Sequence, residues 1–282
     1  MNALEIRGLS KEYDGFRLDG LDLTLPQGCI LGLIGENGAG KSTTIKLVLG
    51  MLKRGGGTVS VYGQDPTAGA AALREDIGVV MDEAGIPACL TVKQVGRIMQ
   101  DVFRQWEPDT FDRLVRQLEL PLKKPFGDFS KGMKMKLGIA IALSHGARLL
   151  LLDEPTGGLD PVAREQVVEL LHEFTRDPSH AVLISSHIVS DLEKLCDYIA
   201  FLKKGKLVLW EEKDVLLERY GLAHCTEAQF RSLPRSCICQ HKHTPYGVEL
   251  LVYRAKVPEG LPVSPVTIEE LFVFMAKEAA EA

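Results

Sequence analysis

One short segment restricts the fold of this chain more than any other. Gly35, Glu36, Asn37, Gly38, Ala39, Gly40, Lys41, Ser42 and Thr43 follow directly on the apolar run 29–34 and precede a helical pattern over 42–51. The spacing is G-x-x-x-x-G-K-[ST], and the order of strand, glycine-rich loop and helix is the context a phosphate-binding loop requires. Glycines permit backbone conformations closed to other residues, so several N–H groups can converge on one anion. The N-terminal end of the following helix adds positive potential at the same point. Lys41 is placed to neutralise terminal phosphates, and the Ser42 hydroxyl to occupy a position on Mg²⁺. The expectation is a site for a nucleoside triphosphate.

The chain has 282 residues, enough for a full core and for two compact units. Apolar residues make up 45% and charged residues 25%, which suits a globular protein in water. The net charge of −5, with no basic tract, argues against nucleic acid as a partner. No apolar run approaches the roughly 18 residues of a membrane-spanning helix. The N-terminal residues lack a basic-then-apolar leader, and the cysteines are scattered as in reduced thiols, so a cytoplasmic location is expected.

Turn signals and periodicity predict short antiparallel strands over 3–7 and 21–25, then strands over 58–62 and 77–81. From 91 to about 120 apolar residues recur at three- and four-residue steps, the mark of helix. Residues 127–130 interrupt that pattern and open a new helix reaching Ser144. Residues 149–153 read as a buried strand, and Asp160 followed by Pro161 as the start of a helix to about 176. A strand over 181–185, a helix over 189–196 and a hairpin of 198–202 with 206–209 follow. The expected fold class is α/β: a mostly parallel sheet, an N-terminal antiparallel part, and a helical subdomain inserted over about 83–137. Residues 1–214 form the expected main domain. Residues 215–282 read as a small α+β accessory region, with strands over 237–243 and 248–254 and a helix over 267–280.

Asp153 and Glu154 close the strand Leu149–Asp153, and in parallel α/β sheets that strand end faces the ligand crevice. Asp153 is expected to bind Mg²⁺ directly or through water, and Glu154 to orient or deprotonate the attacking water. Adjacent strand residues point to opposite faces, so two roles are compatible. The pair lies about 110 residues after the phosphate loop and runs into Pro155, Thr156, Gly157, Gly158, Leu159 and Asp160, which strengthens the assignment.

With these motifs, residues 1–215 resemble the ATP-binding subunit of ABC transporters, a P-loop NTPase of the ABC-ATPase type. The resemblance places residues 129–133 at that family's signature motif, 158–160 at its D-loop, His187 at its switch histidine and Tyr13 at the aromatic residue that stacks on adenine. It implies two subunits closing head to tail around two ATP molecules. Ser130 and the Gly132 N–H of one copy would grip the γ-phosphate held on the phosphate loop of the other. His187 would donate to that γ-phosphate and hold Glu154 in line, and Asp160 would couple the two sites. The motif forms, the short chain and the tail resemble ABC-2 type exporter subunits. That implies a separate transmembrane permease as partner, a second ATP-binding subunit in a homo- or heterodimer, and contact with the inner face of the cell membrane only through the permease. A drug or peptide is the implied cargo. The same residues leave open a soluble ABC ATPase in assembly or translation, or a regulatory nucleotide-binding partner.

Two positions depart from the family pattern. Asp82 stands where the Q-loop glutamine is usual, and a carboxylate is a good ligand for Mg²⁺. Near triphosphate a like-charge pair at 4 Å is worth about 4 kcal/mol at intermediate dielectric, so Asp82 is expected to make nucleotide binding more Mg²⁺-dependent. Lys131 and Met133 replace the glycine and glutamine of the signature, and Met133 lacks the amide's hydrogen bonds. Elsewhere, Cys237, Cys239, His241 and His243 alternate and are expected to share one strand face, too spread along it to surround a single ion without a bend. His145, His172 and His180 read as surface, and Trp106 and Trp210 as packing residues.

Overall fold

In the computed structural model, which describes residues 1–68, 71–81 and 85–276, the chain opens with a long antiparallel hairpin, β1 (Asn2–Tyr13) and β2 (Phe16–Pro26). Then come β3 (Ile30–Ile34), α1 (Lys41–Val48), β4 (Gly56–Val61), α2 (Ala71–Glu75) and β5 (Ile77–Val80). The expected helical stretch is two helices, α3 (Val92–Val102) and α4 (Pro108–Gln117), followed by α5 (Lys131–Ala142). A capping box of Thr91 with Gln94 starts α3 and Pro108 starts α4, so the periodic pattern is broken by its own end signals. Then β6 (Leu149–Asp153), α6 (Pro161–Phe174), β7 (Ala181–Ser186), α7 (Val189–Leu195), β8 (Tyr198–Lys203) and β9 (Lys206–Glu212) complete the main body.

Six strands form the central sheet in the order β5-β6-β7-β3-β8-β9. All neighbours are parallel except β8 and β9. The strands β3, β6 and β7 are buried at every position, which explains their unbroken apolar runs: a parallel sheet is covered on both faces. Alternate residues divide between two cores. Leu149, Leu151, Leu31 and Leu33 pack with α1 and with the three-stranded sheet β2-β1-β4. Leu150, Leu152, Val182 and Ile184 pack with the helices on the other side.

The C-terminal residues form α8 (Lys213–Arg219), β10 (Tyr220–Cys225), α9 (Glu227–Ser232), β11 (Ile238–Thr244), β12 (Gly247–Tyr253), β13 (Val263–Ser264) and α10 (Ile268–Ala276). Four strands pair in the order β11-β12-β10-β13. The two strands expected here are present, but β10 was not foreseen, and it lies inside this sheet against β12. One sheet face encloses a small core around Ala223, Val248 and Leu250. The other face, with Leu222 and Leu251, joins Ile268, Leu271 and Phe274 of α10 in the core of the main body. Residues 277–280 of the expected last helix lie outside the described residues.

The expectation that Cys237, Cys239, His241 and His243 share a face is corrected. A register shift between Ile238 and Gln240 breaks the alternation. Cys239 packs toward the main core, and His241 and His243 meet Phe230 on the opposite side. A bulge inserts a residue and turns the strand over. Among the described residues no cluster of three or more His, Cys, Asp or Glu has metal-binding proximity. His145 is also corrected: it is 2% exposed and stacks on Phe103 with ring centroids 4.1 Å apart. Trp210 packs on Tyr198 and donates to the Thr24 carbonyl, as a packing residue does.

Candidate functional site

Three neighbouring parallel strands, β6, β7 and β3, bring their C-terminal ends to one edge. The loop 35–40 leaves β3 there, Asp153 and Glu154 end β6, and His187 follows β7. Segments remote in sequence therefore converge by topology alone.

In the loop, Gly40 adopts φ +110° directly before α1, and a Cβ there would lie 2.9 Å from the Phe16 ring. Both the backbone conformation and the space demand glycine. Glu36, Asn37 and Gly38 form the exposed tip, and Ala39 and Gly40 are buried at its base. A turn bond from Ala39 N–H to the Glu36 carbonyl closes the loop. The first N–H groups of α1, those of Lys41, Ser42 and Thr43, have no carbonyl one turn earlier to bond, so they are available to an anion. Lys41 is 6% exposed, and its Nζ donates to the Gly35 carbonyl at 2.8 Å and toward that of Glu36 at 3.4 Å.

Glu154 is the centre of the arrangement. Its φ is +52°, a conformation that non-glycine residues rarely adopt, with a cost on the order of 1–3 kcal/mol. Its N–H is held by the Ser185 carbonyl and hydroxyl, and its carbonyl accepts from Gly157. The turn points the carboxylate between two basic groups: Oε1 lies 3.4 Å from Lys41 Nζ, and Oε2 lies 2.7 Å from His187 Nδ1. The His187 backbone N–H also donates to Oε2 at 3.3 Å. A carboxylate acceptor requires the proton on Nδ1, which fixes the tautomer of a neutral His187 ring.

Asp153 is 5% exposed and accepts a hydrogen bond from Ser185 Oγ. Ser185 was not singled out from sequence. The available signal was a polar residue ending a buried strand in register with Asp153. A buried, oriented carboxylate suits a hard cation with oxygen ligands. Asp82 falls outside the described residues.

Ser130 caps α5, its Oγ accepting from Met133 N–H at 3.2 Å, and is exposed. Gly132 abuts the turn before α6: a Cβ there would stand 2.9 Å from the Gly158 carbonyl oxygen. Asp160 caps α6 through a bond from Ala163 N–H at 2.9 Å, which holds its carboxyl below the usual carboxylate range. Gly132 and Asp160 thus meet at the turn 157–160, and Ser130 caps the helix whose first turn abuts it. Tyr13 is 40% exposed at the end of the β1–β2 hairpin, with the Lys11 ammonium 5.2 Å from its ring centre. Its cross-strand partner Phe16 packs against Gly40, which brings the hairpin end beside the loop.

Residues 18–157 match the family model described as ABC transporter. The chain is 36% identical over 203 residues to the bacitracin transport ATP-binding protein of Bacillus licheniformis, an alignment spanning 71% of this chain and 66% of that protein. It is 35% identical over 215 residues to the lantibiotic transport ATP-binding protein of Streptococcus pyogenes, spanning 75% and 91%. A third relative is the daunorubicin/doxorubicin resistance ATP-binding protein of Streptomyces peucetius, at 33% over 223 residues, spanning 73% and 64%. A solved structure of the ATP-binding subunit of an ABC transporter superposes with a TM-score of 0.69 at 29% identity, covering 76% of this chain and 91% of that one.

Proposed function

The chain belongs to the ABC transporter family of ATP-binding subunits, and on that premise we propose that it is the ATP-hydrolysing engine of a separate ABC-2 type membrane permease exporting a drug, peptide or other small substrate. The observation that carries this reading is Glu154, held in a costly backbone conformation between Lys41 and His187. A subunit that only bound nucleotide would have no use for such a carboxylate.

In this reading the loop N–H groups and Lys41 receive the phosphates, and Tyr13 stacks on the base. Lys41 exchanges its contact with Glu154 for phosphate oxygens, which frees one carboxylate oxygen to accept a proton from the attacking water. His187 keeps the other oxygen oriented. Catalysis is then positioning and charge stabilisation, with little covalent chemistry for the protein to supply. Magnesium, held by Ser42, Asp153 and Asp82, would neutralise charge on the phosphates. Ser130 and Gly132 complete the site of a second copy, and Asp160 faces the junction. Cleavage removes the contacts that hold the copies closed.

The permease would dock beside Met81 and Gly85. A groove of about 600 Å³ lined by Leu49, Met51, Pro66, Arg74, Val79 and Met81 supports that placement. Among the described residues no helix is long and apolar enough to cross a membrane. The reading therefore assigns the spanning segments to the permease and this chain to the inner membrane face. Residues 1–214 act as the catalytic unit, with about 83–137 as its helical subdomain and 215–282 as an accessory region. The relatives named for bacitracin, lantibiotic and daunorubicin/doxorubicin support drug or peptide export.

The test is phosphate release and nucleotide binding by the wild type and Glu154→Gln, with co-purification of a polytopic membrane protein in detergent. Expected are turnover lost by about 100-fold or more with ATP still bound, and a permease in the pull-down. A variant as active as wild type overturns the catalytic assignment, and a chain that never recovers a membrane partner overturns the transport reading.

A further inference from the structure

Two helices leave the site from adjacent corners. The helix α6 begins at its cap Asp160, and Arg164 follows one turn later, its N–H bonded to the Asp160 carbonyl at 3.0 Å. The helix α7 begins at Val189, two residues past His187, and Asp191 lies in its first turn. The two side chains face each other: Arg164 Nε is 3.5 Å from Asp191 Oδ2, with 31% and 9% of the side chains exposed. Both atoms are shielded from solvent, and among the described residues neither has a hydrogen bond.

Such a pair is poorly explained by stability. Desolvation of buried charges offsets most of their attraction, and full recovery requires good hydrogen-bond geometry. At 3.5 Å without alignment, this pair forgoes that part of the gain. Its placement is more informative. One partner is a helical turn from the Asp160 cap and the turn that Gly132 touches. The other lies four residues from the histidine that holds Glu154.

We infer that Arg164 and Asp191 are positioning residues that link the turn 157–160 to His187, an ion pair loose in this form that closes to hydrogen-bond contact when α6 and α7 draw together around bound nucleotide. The inference rests on the ATPase reading above. Among the described residues neither side chain has a partner on the loop 35–40; they act through His187 and Glu154. A charge-assisted bond formed only in the closed arrangement favours that arrangement and leaves the open one unaffected. A change at the turn 157–160, the surface proposed to meet a second copy, would thereby reach the histidine of the same chain.

The experiment uses the full chain with Arg164→Met, Asp191→Asn, the double variant and Arg164→Lys. The readouts are magnesium-ATP affinity, kcat, KM and backbone hydrogen exchange across residues 186–195. Expected is a kcat about tenfold lower with affinity within about twofold, and exchange across 186–195 at least about threefold faster. The double variant should be no worse than either single, because each single leaves a buried charge alone. Arg164→Lys should recover most of the rate. Equal losses of affinity and kcat, or a folded Arg164→Met with wild-type kcat, overturn the link. Asp191→Asn, nearly isosteric, decides the matter should Arg164→Met fail to fold. If the wild type itself does not hydrolyse ATP, the ATPase reading fails on its own. The exchange data still judge the link, and unchanged protection at 186–195 overturns it.

Discussion

Gly132 shows how tightly single residues are constrained. A methyl group there would stand 2.9 Å from a backbone oxygen of Gly158, a contact that must move one segment or the other. Gly132→Ala is expected to lower ATP turnover by about tenfold or more while leaving nucleotide affinity nearly unchanged, because the displaced parts are the start of α5 and the turn 157–160 and not the loop 35–40. Steady-state kinetics beside equilibrium binding check this. Tyr13 should behave in the converse way. Removing an exposed stacking ring worth about 0.5–1.5 kcal/mol raises the ATP dissociation constant about two- to thirteenfold, with little change in kcat once saturated. Titration of Tyr13→Ala with ATP measures it.

Among the elements, the linker between α3 and α4 is tied to the end of α2 by a buried histidine. His145 Nδ1 lies 3.1 Å from the Glu75 carbonyl, its ring stacks on Phe103, and Glu107 N–H donates to the Ser144 carbonyl nearby. Burial pushes the His145 pKa below its ordinary value, the Glu75 bond opposing it in part. The unfolded chain therefore binds more protons between the folded value and about 6.5, so stability falls as pH drops through that window. His241 is shifted the same way by its own burial but is more exposed. Thermal melting from pH 7.5 to 5.5 should show this decline, and His145→Gln should flatten it. An unchanged slope would assign the effect elsewhere.

For the whole molecule, residues 220–276 are joined to the main body by a continuous core. Leu222, Leu251, Ile268, Leu271 and Phe274 are each no more than 6% exposed within the same core that holds Leu152 and Ile184. Each such side chain contributes about 1.5–3 kcal/mol when fully buried. A chain ending at residue 219 is expected to melt several degrees lower and to aggregate, as calorimetry and light scattering would show. An unaltered melting temperature would mark this region as an independent appendage. Assembly belongs to the same scale. With magnesium and ATP, Glu154→Gln should run as a dimer by light scattering and revert to monomer when nucleotide is removed. A monomer under both conditions would count against the head-to-tail site.

The amino-acid order alone determined the glycine-rich loop 35–40 between strand and helix, the carboxylate-ended strand and the α/β class. Each rests on local physics: glycine freedom, residue spacing and the unbroken apolar runs of a sheet covered on both faces. The same locality explains why the strands Ile238–Thr244 and Gly247–Tyr253, neighbours joined by a short turn, were legible, whereas of the β1–β2 hairpin only short antiparallel strands over 3–7 and 21–25 were expected. Tertiary structure decided what depends on distant partners. The strand Tyr220–Cys225 pairs with residues nearly thirty positions away and so carries little signal of its own. The bulge at Cys239 reversed a face that strict alternation had predicted. His145 looked like a surface residue because nothing local reveals the Phe103 ring above it. The positive φ of Glu154 and its place between Lys41 and His187 exist only once three strand ends are brought together, because both the backbone strain and the charges it serves are supplied by the surrounding fold.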